Sequence, residues 1–205
     1  MRVVTFMGNA THVKQIAVKN RLTDVYIDTS YVYYLNESTF LFLSTSDIEA
    51  LKNELTSYGV NVVLYDTGVP YVGDELEMQN RRLRIAKMIY KITSDIDDDI
   101  LFVDSDVILN GDVFKKLPSN EPTTICIPAL MKPSTSIIFD FCYSTNIYVP
   151  RNYINKLKYI VRRYIDNNWH TFYPIDIYVN TNLGTYRTLY IKGVCHYIKG
   201  KLYCL

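Results

Sequence analysis

The stretch IDDDILFVDSDVILNGDVF, residues 96–114, carries the strongest structural signal in the chain. Its apolar run, residues 100–103, ends at Asp104, and a second carboxylate follows at Asp106. A short apolar run bounded by acids predicts a buried strand that is covered on both faces. Two carboxylates this close repel each other unless a cation or a shared proton relieves them. The pattern therefore predicts that the strand ends at a binding site.

Strand and helix patterns alternate in the sequence that precedes this run. Four apolar segments, RVVTFM, TDVYID, TFLFLS and NVVLYD, read as strands. Residues 44–59 and 75–92 have the apolar spacing of helices, and Ser46 is the expected cap of the first, which Gly59 ends. This alternation predicts an α/β fold with a Rossmann-like, mostly parallel central sheet flanked by helices.

The rest of the chain predicts a smaller mixed part. TTICIPA, residues 123–129, reads as one further strand, and residues 136–150 read as two strands or a hairpin. A helical pattern covers residues 151–165, and the C-terminal residues are strand-like. Since no linker or repeat interrupts the 205 residues, we expect a single domain over residues 1–205.

Composition limits the possible partners and locations. A net charge of +1 gives no general attraction to nucleic acid, so we expect no nucleic-acid partner. The sequence has neither a signal-peptide pattern nor an apolar run of membrane-spanning length, which predicts a soluble, cytoplasmic protein without an integral membrane segment. The four cysteines show no CxxC spacing, and we expect free buried thiols, with a structural disulfide as an alternative in a protein from an extreme thermophile.

Several kinds of site contain a D-x-D. An ordinary strand end with solvated acids is the simplest. A calcium loop of the EF-hand type is excluded because Ile108 and Leu109 stand where an acid or amide and a glycine are needed. A haloacid-dehalogenase-like phosphohydrolase also runs an apolar strand into D-x-D, with Asp104 as nucleophile and Asp106 as acid or base. The remaining alternative is a pair of hard oxygen ligands for Mg²⁺ or Mn²⁺ at the carboxyl edge of the sheet.

The chain resembles the GT-A fold nucleotide-sugar glycosyltransferases of the D-x-D type. The stretch RIAKMIYKITSDIDDDILFVDSDVILNGDVFKKL is similar to their central signature, and CYSTNIYVPRNYINKLKYIV, YPIDIYVN and GVCHYIKGK are similar to later segments of the family in the same order. The compact size and the tyrosine content fit a small crenarchaeal-virus member of this fold. The resemblance implies a nucleotide-binding half over residues 1–106 and an acceptor-side half over residues 107–205.

The resemblance and the chemistry of the residues together predict roles for individual side chains. Asp104, Asp106 and His196 are the expected ligands of Mn²⁺, or of Mg²⁺, and Asp104 is also expected at the ribose. Asp176 is the expected general base, and Asn146 is expected to touch the donor sugar or the acceptor. The remaining donor-binding candidates are Thr5, Met7 and Asn9 at the nucleoside and Arg84, Lys87, Lys199 and Lys201 at the diphosphate.

The sequence thus predicts a metal-dependent glycosyltransferase that moves a sugar from a nucleoside-diphosphate sugar to a glycan, protein or lipid acceptor. If the protein is viral, the expected location is the cytoplasm of the host. A phosphohydrolase that uses Asp104 and Asp106 and a non-catalytic nucleotide- or sugar-binding protein of the same fold remain as alternatives. Whether the reaction inverts or retains the anomeric configuration stays open.

Overall fold

The computed structural model describes residues 1–6, 10–30, 33–36, 39–41, 44–71, 74–118, 120–130, 138–141, 145–185, 187–198 and 200–205. Strands and helices alternate through most of these ranges. The strands are β1 (Arg2–Phe6), β2 (Asp24–Asp28), β3 (Tyr33–Asn36), β4 (Thr39–Leu41), β5 (Asn61–Tyr65), β6 (Ile100–Phe102), β7 (Val107–Ile108), β8 (Thr123–Ile125), β9 (Ile127–Leu130), β10 (Ile138–Phe141), β11 (Ile147–Val149), β12 (Arg187–Leu189), β13 (Cys195–Ile198) and β14 (Lys201–Cys204).

The helices lie mainly between consecutive strands of the large sheet. They are α1 (Ala10–Lys19), α2 (Thr45–Ser57), α3 (Asp74–Asp95), α4 (Gly111–Lys116), α5 (Ile154–Asp166) and α6 (Ile175–Leu183), with short 3₁₀ turns at Arg151–Tyr153 and Trp169–Thr171. Of the helices in the described ranges, none combines the length and the apolar character needed to cross a membrane.

A seven-stranded sheet forms the centre of the fold, in the order β12-β8-β11-β6-β1-β2-β5. Strands β6, β1, β2 and β5 are parallel neighbours, and β12 is parallel to β8. Only β11 runs against its neighbours in this sheet, β6 and β8. The predicted α/β fold with a mainly parallel central sheet flanked by helices is therefore confirmed, and small antiparallel sheets are also present.

Apolar side chains cover both faces of the central sheet. One face packs against α1 and α2 through residues such as Ile16 and Leu55, and the other packs against α3, α5 and α6 through residues such as Ile92 and Leu157. Strand β6 is fully buried between these two layers. A strand covered on both sides has to be apolar along its whole length, which explains the run before Asp104.

Three local predictions differ from the structure. The first helix of the fold, α1, was not predicted, because it follows a turn-like Gly-Asn pair and has a mixed composition. The cap of α2 is Ser44 and not Ser46: its hydroxyl accepts from the backbone N–H of Asp47, and the Asp47 side chain accepts from the backbone N–H of Ser44. The stretch TTICIPA forms two strands, since β8 joins the central sheet and β9 pairs with β10.

The expectation of free thiols is wrong. Cys195 and Cys204 form a disulfide that joins β13 to β14, where the two residues are direct partners in the antiparallel register. Cys126 is disulfide-bonded as well. Among the described cysteines none is free. The reason is geometric: residues opposite each other in a hairpin lie close enough for the two sulfurs to bond.

Candidate functional site

The topology brings polar residues to the carboxyl edge of the central sheet. Asp104 lies just beyond the carboxyl end of β6. Thr145 and Asn146 directly precede β11, which runs antiparallel to β6, so they arrive at the same edge from the opposite direction. Open α/β sheets bind their ligands in the crevice at this edge.

The carboxylate of Asp104 is fixed by these two residues. The Asn146 Nδ2 donates to Asp104 Oδ2 at 2.7 Å, and the Asp104 backbone N–H donates to Asn146 Oδ1 at 2.8 Å. The Thr145 hydroxyl donates to the other carboxylate oxygen, Oδ1. Asn146 is fully buried. Asn146 thus holds the Asp104 carboxylate in place, and its contact with the donor sugar or the acceptor stays a prediction.

Burial and the neighbouring charge of Asp106 raise the pKa of Asp104 to about 6. The hydrogen bonds from Thr145 and Asn146 and the charge of His196 act in the opposite direction but do not cancel this effect. A carboxylate with a raised pKa is one whose negative charge is not fully compensated by the protein. Such a group is available to a cation that approaches from outside.

His196 closes the other side of the carboxylate pair. Its Nε2 lies 3.3 Å from Asp106 Oδ2, and its Nδ1 lies 2.8 Å from the carbonyl oxygen of Pro128. Burial alone would lower the pKa of His196, but the hydrogen bond and the charge of Asp106 raise it. Both neighbours accept hydrogen bonds, an arrangement that favours the protonated imidazole.

The pairing of β13 with its neighbouring strands holds His196 next to Asp106. Strand β13 pairs with β7, which places His196 opposite Val107, and the backbone N–H of Tyr197 donates to the Asp106 carbonyl at 2.8 Å. The Cys195–Cys204 disulfide closes the hairpin next to the imidazole. The fold thus brings together Asp104, Asp106 and His196, although His196 lies far along the chain from the other two.

The residue types at this point fit a divalent cation. Two carboxylates and an imidazole are ligands that Mn²⁺ accepts, and a backbone carbonyl on the Nδ1 of a histidine is the usual outer partner of a metal-binding imidazole. In the described part of the chain, however, no group of three or more His, Cys, Asp or Glu side chains is arranged to hold a metal ion. Here Asp106 and His196 are paired with each other, and a cation would replace that contact.

Of the nucleoside candidates the structure describes Thr5, which lies near the carboxyl end of β1. Thr5 in β1 is fully buried, and its Oγ1 has no hydrogen-bond partner among the residues that the structure describes. Met7 and Asn9 lie outside the described residues. An unpartnered buried hydroxyl is costly, and a polar ligand atom would satisfy it.

Sequence reasoning missed a second polar group at this edge. Asp28 ends β2 and is buried, and its carboxylate accepts from the Thr67 hydroxyl at 2.7 Å and from the Ser30 hydroxyl at 2.6 Å. The signal was present, because Asp28 follows an apolar strand in the same way as Asp104. A single sequence does not show whether one acid after a strand is buried or is a solvated loop residue.

The two basic candidates on α3 have different environments. Arg84 is buried, forms an ion pair with Glu77 two turns earlier and donates to the Val69 carbonyl at 3.2 Å. Lys87 donates to the Thr67 carbonyl at 2.7 Å, next to the Asp28 group. Among the described residues Arg84 has a carboxylate partner and Lys87 forms no ion pair, so Lys87 is the more accessible of the two to an anionic ligand. Lys201 lies exposed in β14, and Lys199 lies outside the described residues.

Asp176 lies in the first turn of α6. Its carboxylate accepts from the backbone N–H of Ile177 at 2.9 Å, while Pro174 occupies the cap position. Burial raises the pKa of Asp176 above its usual value. It lines a pocket of about 260 Å³, counted with the space open to solvent, together with Thr145, which donates to Asp104; the rest of the lining is Ile89, Phe102, Ile147, Leu157 and Val179.

Comparison with solved structures places the fold. A Bacillus anthracis protein assigned as a glucose-1-phosphate thymidylyltransferase is similar with a TM-score of 0.51 at 11% identity, over 93% of this chain and 86% of that one. The glycosyltransferase GlyE of Streptococcus pneumoniae aligns with a TM-score of 0.46 at 16% identity, over 93% of this chain and 45% of GlyE, so the chain spans under half of that protein. The fold is similar to that of the thymidylyltransferase.

Comparison with protein sequences identifies viral relatives. No family model matches the sequence. The protein ORF238 of Acidianus filamentous virus 2, described as uncharacterized, is 36% identical over 238 aligned residues, which include 100% of this chain and 99% of the relative. The chain therefore belongs to the family of this viral protein.

Proposed function

We propose that the protein is a divalent-metal-dependent glycosyltransferase that moves a sugar from a nucleoside-diphosphate sugar to an acceptor hydroxyl. The observation that carries this proposal is the group at the carboxyl edge, where Asp104, Asp106 and His196 come together and where burial and the charge of Asp106 raise the pKa of Asp104 to about 6. The fold supports it, because the fold of the thymidylyltransferase is similar to this one. The cytoplasm of an infected host cell is the place where we expect it to act.

In this mechanism Asp104, Asp106 and His196 would hold the cation, whose chemistry is to neutralise the charge that grows on the leaving diphosphate. Thr145 and Asn146 keep the Asp104 carboxylate in one orientation. Lys87 donates hydrogen bonds to the donor phosphates from α3.

Asp176 acts on the acceptor. Its carboxylate takes the proton of the acceptor hydroxyl while that oxygen bonds to the anomeric carbon, and the nucleoside diphosphate leaves with the electron pair of the broken bond. A raised pKa suits this role, because a base works best when its pKa approaches the working pH. Asp176 and Thr145 line the same small pocket, and Thr145 donates to Asp104, which connects the candidate base to the candidate metal ligands.

The hydrogen bonds at Asp104 are compatible with both the transferase and the phosphohydrolase. Oδ1 accepts from Thr145 and Oδ2 accepts from Asn146, and each oxygen keeps a second lone pair. That lone pair can bind a cation or attack phosphorus, so the choice between the two functions rests on the assays below.

The test is a calorimetric titration with UDP, GDP, dTDP and ADP, each with and without Mn²⁺, accompanied by an assay of p-nitrophenyl phosphate hydrolysis. We expect one diphosphate to bind only when Mn²⁺ is present. Release of p-nitrophenol would favour the phosphohydrolase. Nucleotide binding that is independent of the metal would favour a non-catalytic binding protein and overturn the proposal.

A further inference from the structure

An apolar surface surrounds the first turn of α6. Phe172 is 76% exposed, Tyr173 is 50% exposed and Ile177 is 41% exposed, and the three lie within six positions of sequence. We call this surface the aromatic platform. Single exposed apolar residues are ordinary on a protein surface, but a group of them usually marks a binding site.

The platform is supported from behind by other aromatic residues. The Trp169 ring lies 5.5 Å from the Tyr173 ring and 6.4 Å from the Tyr178 ring, in edge and stacked arrangements respectively. The buried Tyr164 donates its hydroxyl proton to the Tyr173 carbonyl. Because these contacts fix the backbone and one side of the platform, its exposed rings are presented to a ligand at a low cost in conformational entropy.

The platform is continuous with the candidate base. Asp176 lies between Tyr173 and Ile177 in sequence, and the same residue lines a pocket together with Thr145. Because these residues are close along the chain, a molecule that rests on the platform lies near the carboxyl that would take its proton. Burial keeps the pKa of Asp176 above its usual value, so this carboxyl is poised to exchange a proton with such a molecule.

We propose that the aromatic platform binds a carbohydrate acceptor, so that the product is an extended glycan. This inference rests on the proposed transferase function and names the class of its acceptor. A sugar ring has an apolar C–H face, which packs on an aromatic ring, and hydroxyl groups at its rim, which donate to a carboxylate. Phe172 and Tyr173 supply the first kind of contact, and Asp176 supplies the second.

The chemistry of the surface favours a sugar over a lipid bilayer or a peptide. A carboxylate in the middle of the platform repels the anionic surface of a bilayer, and burying it in lipid would be costly. A peptide serine or threonine offers a hydroxyl but no rigid C–H face that matches two aromatic rings. Sugar recognition needs aromatic rings and a hydrogen-bonding carboxylate close together, and both are present here.

The sole tryptophan of the sequence gives a direct measurement. Because Trp169 contacts Tyr173, occupation of the platform should change its fluorescence. We would titrate the unmodified protein with methyl glycosides of glucose, galactose, mannose and N-acetylglucosamine, and in parallel with phosphatidylserine vesicles and a serine- and threonine-containing peptide. At least one glycoside should produce a saturable change, and the vesicles and the peptide should produce none.

Variants locate the effect on the platform. Phe172→Ala and Tyr173→Ala should each weaken the responding glycoside roughly three- to tenfold, as loss of an aromatic contact does. The matched control is Tyr58→Ala, since Tyr58 is 54% exposed at the end of α2 and thus lies at the opposite edge of the sheet. Mn²⁺-dependent nucleotide binding should be the same in all three variants.

Three results would overturn the inference: no response to any glycoside, a response to vesicles or peptide instead, or an equal loss in Tyr58→Ala. Saturation-transfer NMR on the unmodified protein covers the case of a variant that does not fold, since irradiation of aromatic protons should label the C–H face of the bound glycoside. Nucleotide titration fails if the transferase function is wrong, whereas glycoside titration fails if the acceptor assignment is wrong, so the two errors are distinguishable.

Discussion

At the amino edge of the central sheet the buried acid Asp24 is surrounded by donors, whereas at the carboxyl edge Asp104 faces a second acid. Asp24 is 1% exposed, and its carboxylate accepts from Arg2 Nε at 2.8 Å, from Thr23 Oγ1 at 2.7 Å and from Asn61 Nδ2 at 2.9 Å. Burial alone would raise the pKa of Asp24, but these hydrogen bonds outweigh it and lower the pKa. For Asp104 burial and the charge of Asp106 outweigh the hydrogen bonds, so its pKa is raised.

The same division holds for the neighbouring acids. Asp97 forms an ion pair with Arg151, and Asp98 forms one with the N-terminal amino group, both just before β6. Beyond β6, the described residues include no lysine or arginine that forms an ion pair with Asp104 or Asp106. Acids that stabilise the fold are thus paired with arginine or with the N-terminal amino group, whereas Asp106 has only the His196 ring beside it.

The largest effect is expected from the third acid of the carboxyl edge. Asp176→Asn should lower turnover of the donor by roughly 10²–10⁴, the usual range for a general base, and leave nucleotide binding unchanged. Release of nucleoside diphosphate measures the turnover. The control is Asp166→Asn, an exposed acid in the last turn of α5. Full activity in Asp176→Asn would return this residue to a structural role.

A smaller but still large effect is expected at the carboxylate pair. Loss of an outer partner of a metal site costs roughly 10–100-fold in affinity, and loss of a ligand should cost at least as much. Asp106→Asn should therefore weaken Mn²⁺-dependent nucleotide binding by at least that factor in a calorimetric titration. Asp112→Asn, which changes an exposed acid of α4, should bind as the parent does. Equal Mn²⁺ affinity in Asp106→Asn and the parent would remove the pair from the site.

Thermal stability should separate the two edges by sign. Asp24→Asn leaves a buried group with unmatched donors, which costs about 1–3 kcal/mol and lowers the melting temperature by several degrees in a chain of this size. Asp106→Asn in the metal-free protein removes a repelling charge and should keep or raise the melting temperature. Thermal denaturation followed by circular dichroism measures both. A fall of similar size in the two variants would contradict the comparison.

The pH dependence of stability should divide in the same way. Asp24 has a lowered pKa, so its contribution is present at neutral pH and is lost as the pH falls below about 4. Asp104 and His196 have raised pKa values, so their contribution is present at low pH and is lost as the pH rises through about 6 and above. The free energy of unfolding is expected to fall by an amount on the order of 2 kcal/mol as the pH rises through this range.

Urea denaturation of the metal-free protein between pH 3 and pH 8 tests this division. Asp24→Asn should reduce the pH dependence of the free energy of unfolding at acid pH. Asp106→Asn should reduce the pH dependence above pH 5, because it removes the charge that acts on both Asp104 and His196. If Asp106→Asn keeps the slope of the parent above pH 5, the raised pKa values have another cause.

The sequence was sufficient for the parts of the fold that depend on local pattern. The apolar run before Asp104 identified the buried strand, and the spacing of Ile89 and Ile92 identified the buried face of α3. The grouping of Asp104 with Asn146 was beyond such reasoning, because it depends on β11 entering the sheet in the antiparallel sense. No local pattern encodes the direction in which a distant strand enters a sheet.

Two other contacts could have been predicted from the sequence. Glu77 and Arg84 are seven positions apart on a helix, so they lie on one face, and their long side chains span the two turns between them. Cys195 and Cys204 lie symmetrically about the turn between Ile198 and Lys201, which places them opposite each other in a hairpin. The expected identity of the metal and the roles of Asp176 and His196 remain predictions.

The wide separation in sequence of the groups around Asp104 and His196 has a consequence for the kinetics of folding. Asp104 meets Asn146 across 42 positions, and His196 meets Pro128 across 68. Contacts that close long loops form late, after the helices. Substitutions at the carboxyl edge should therefore alter the rate at which the chain unfolds and leave the rate at which it folds nearly unchanged.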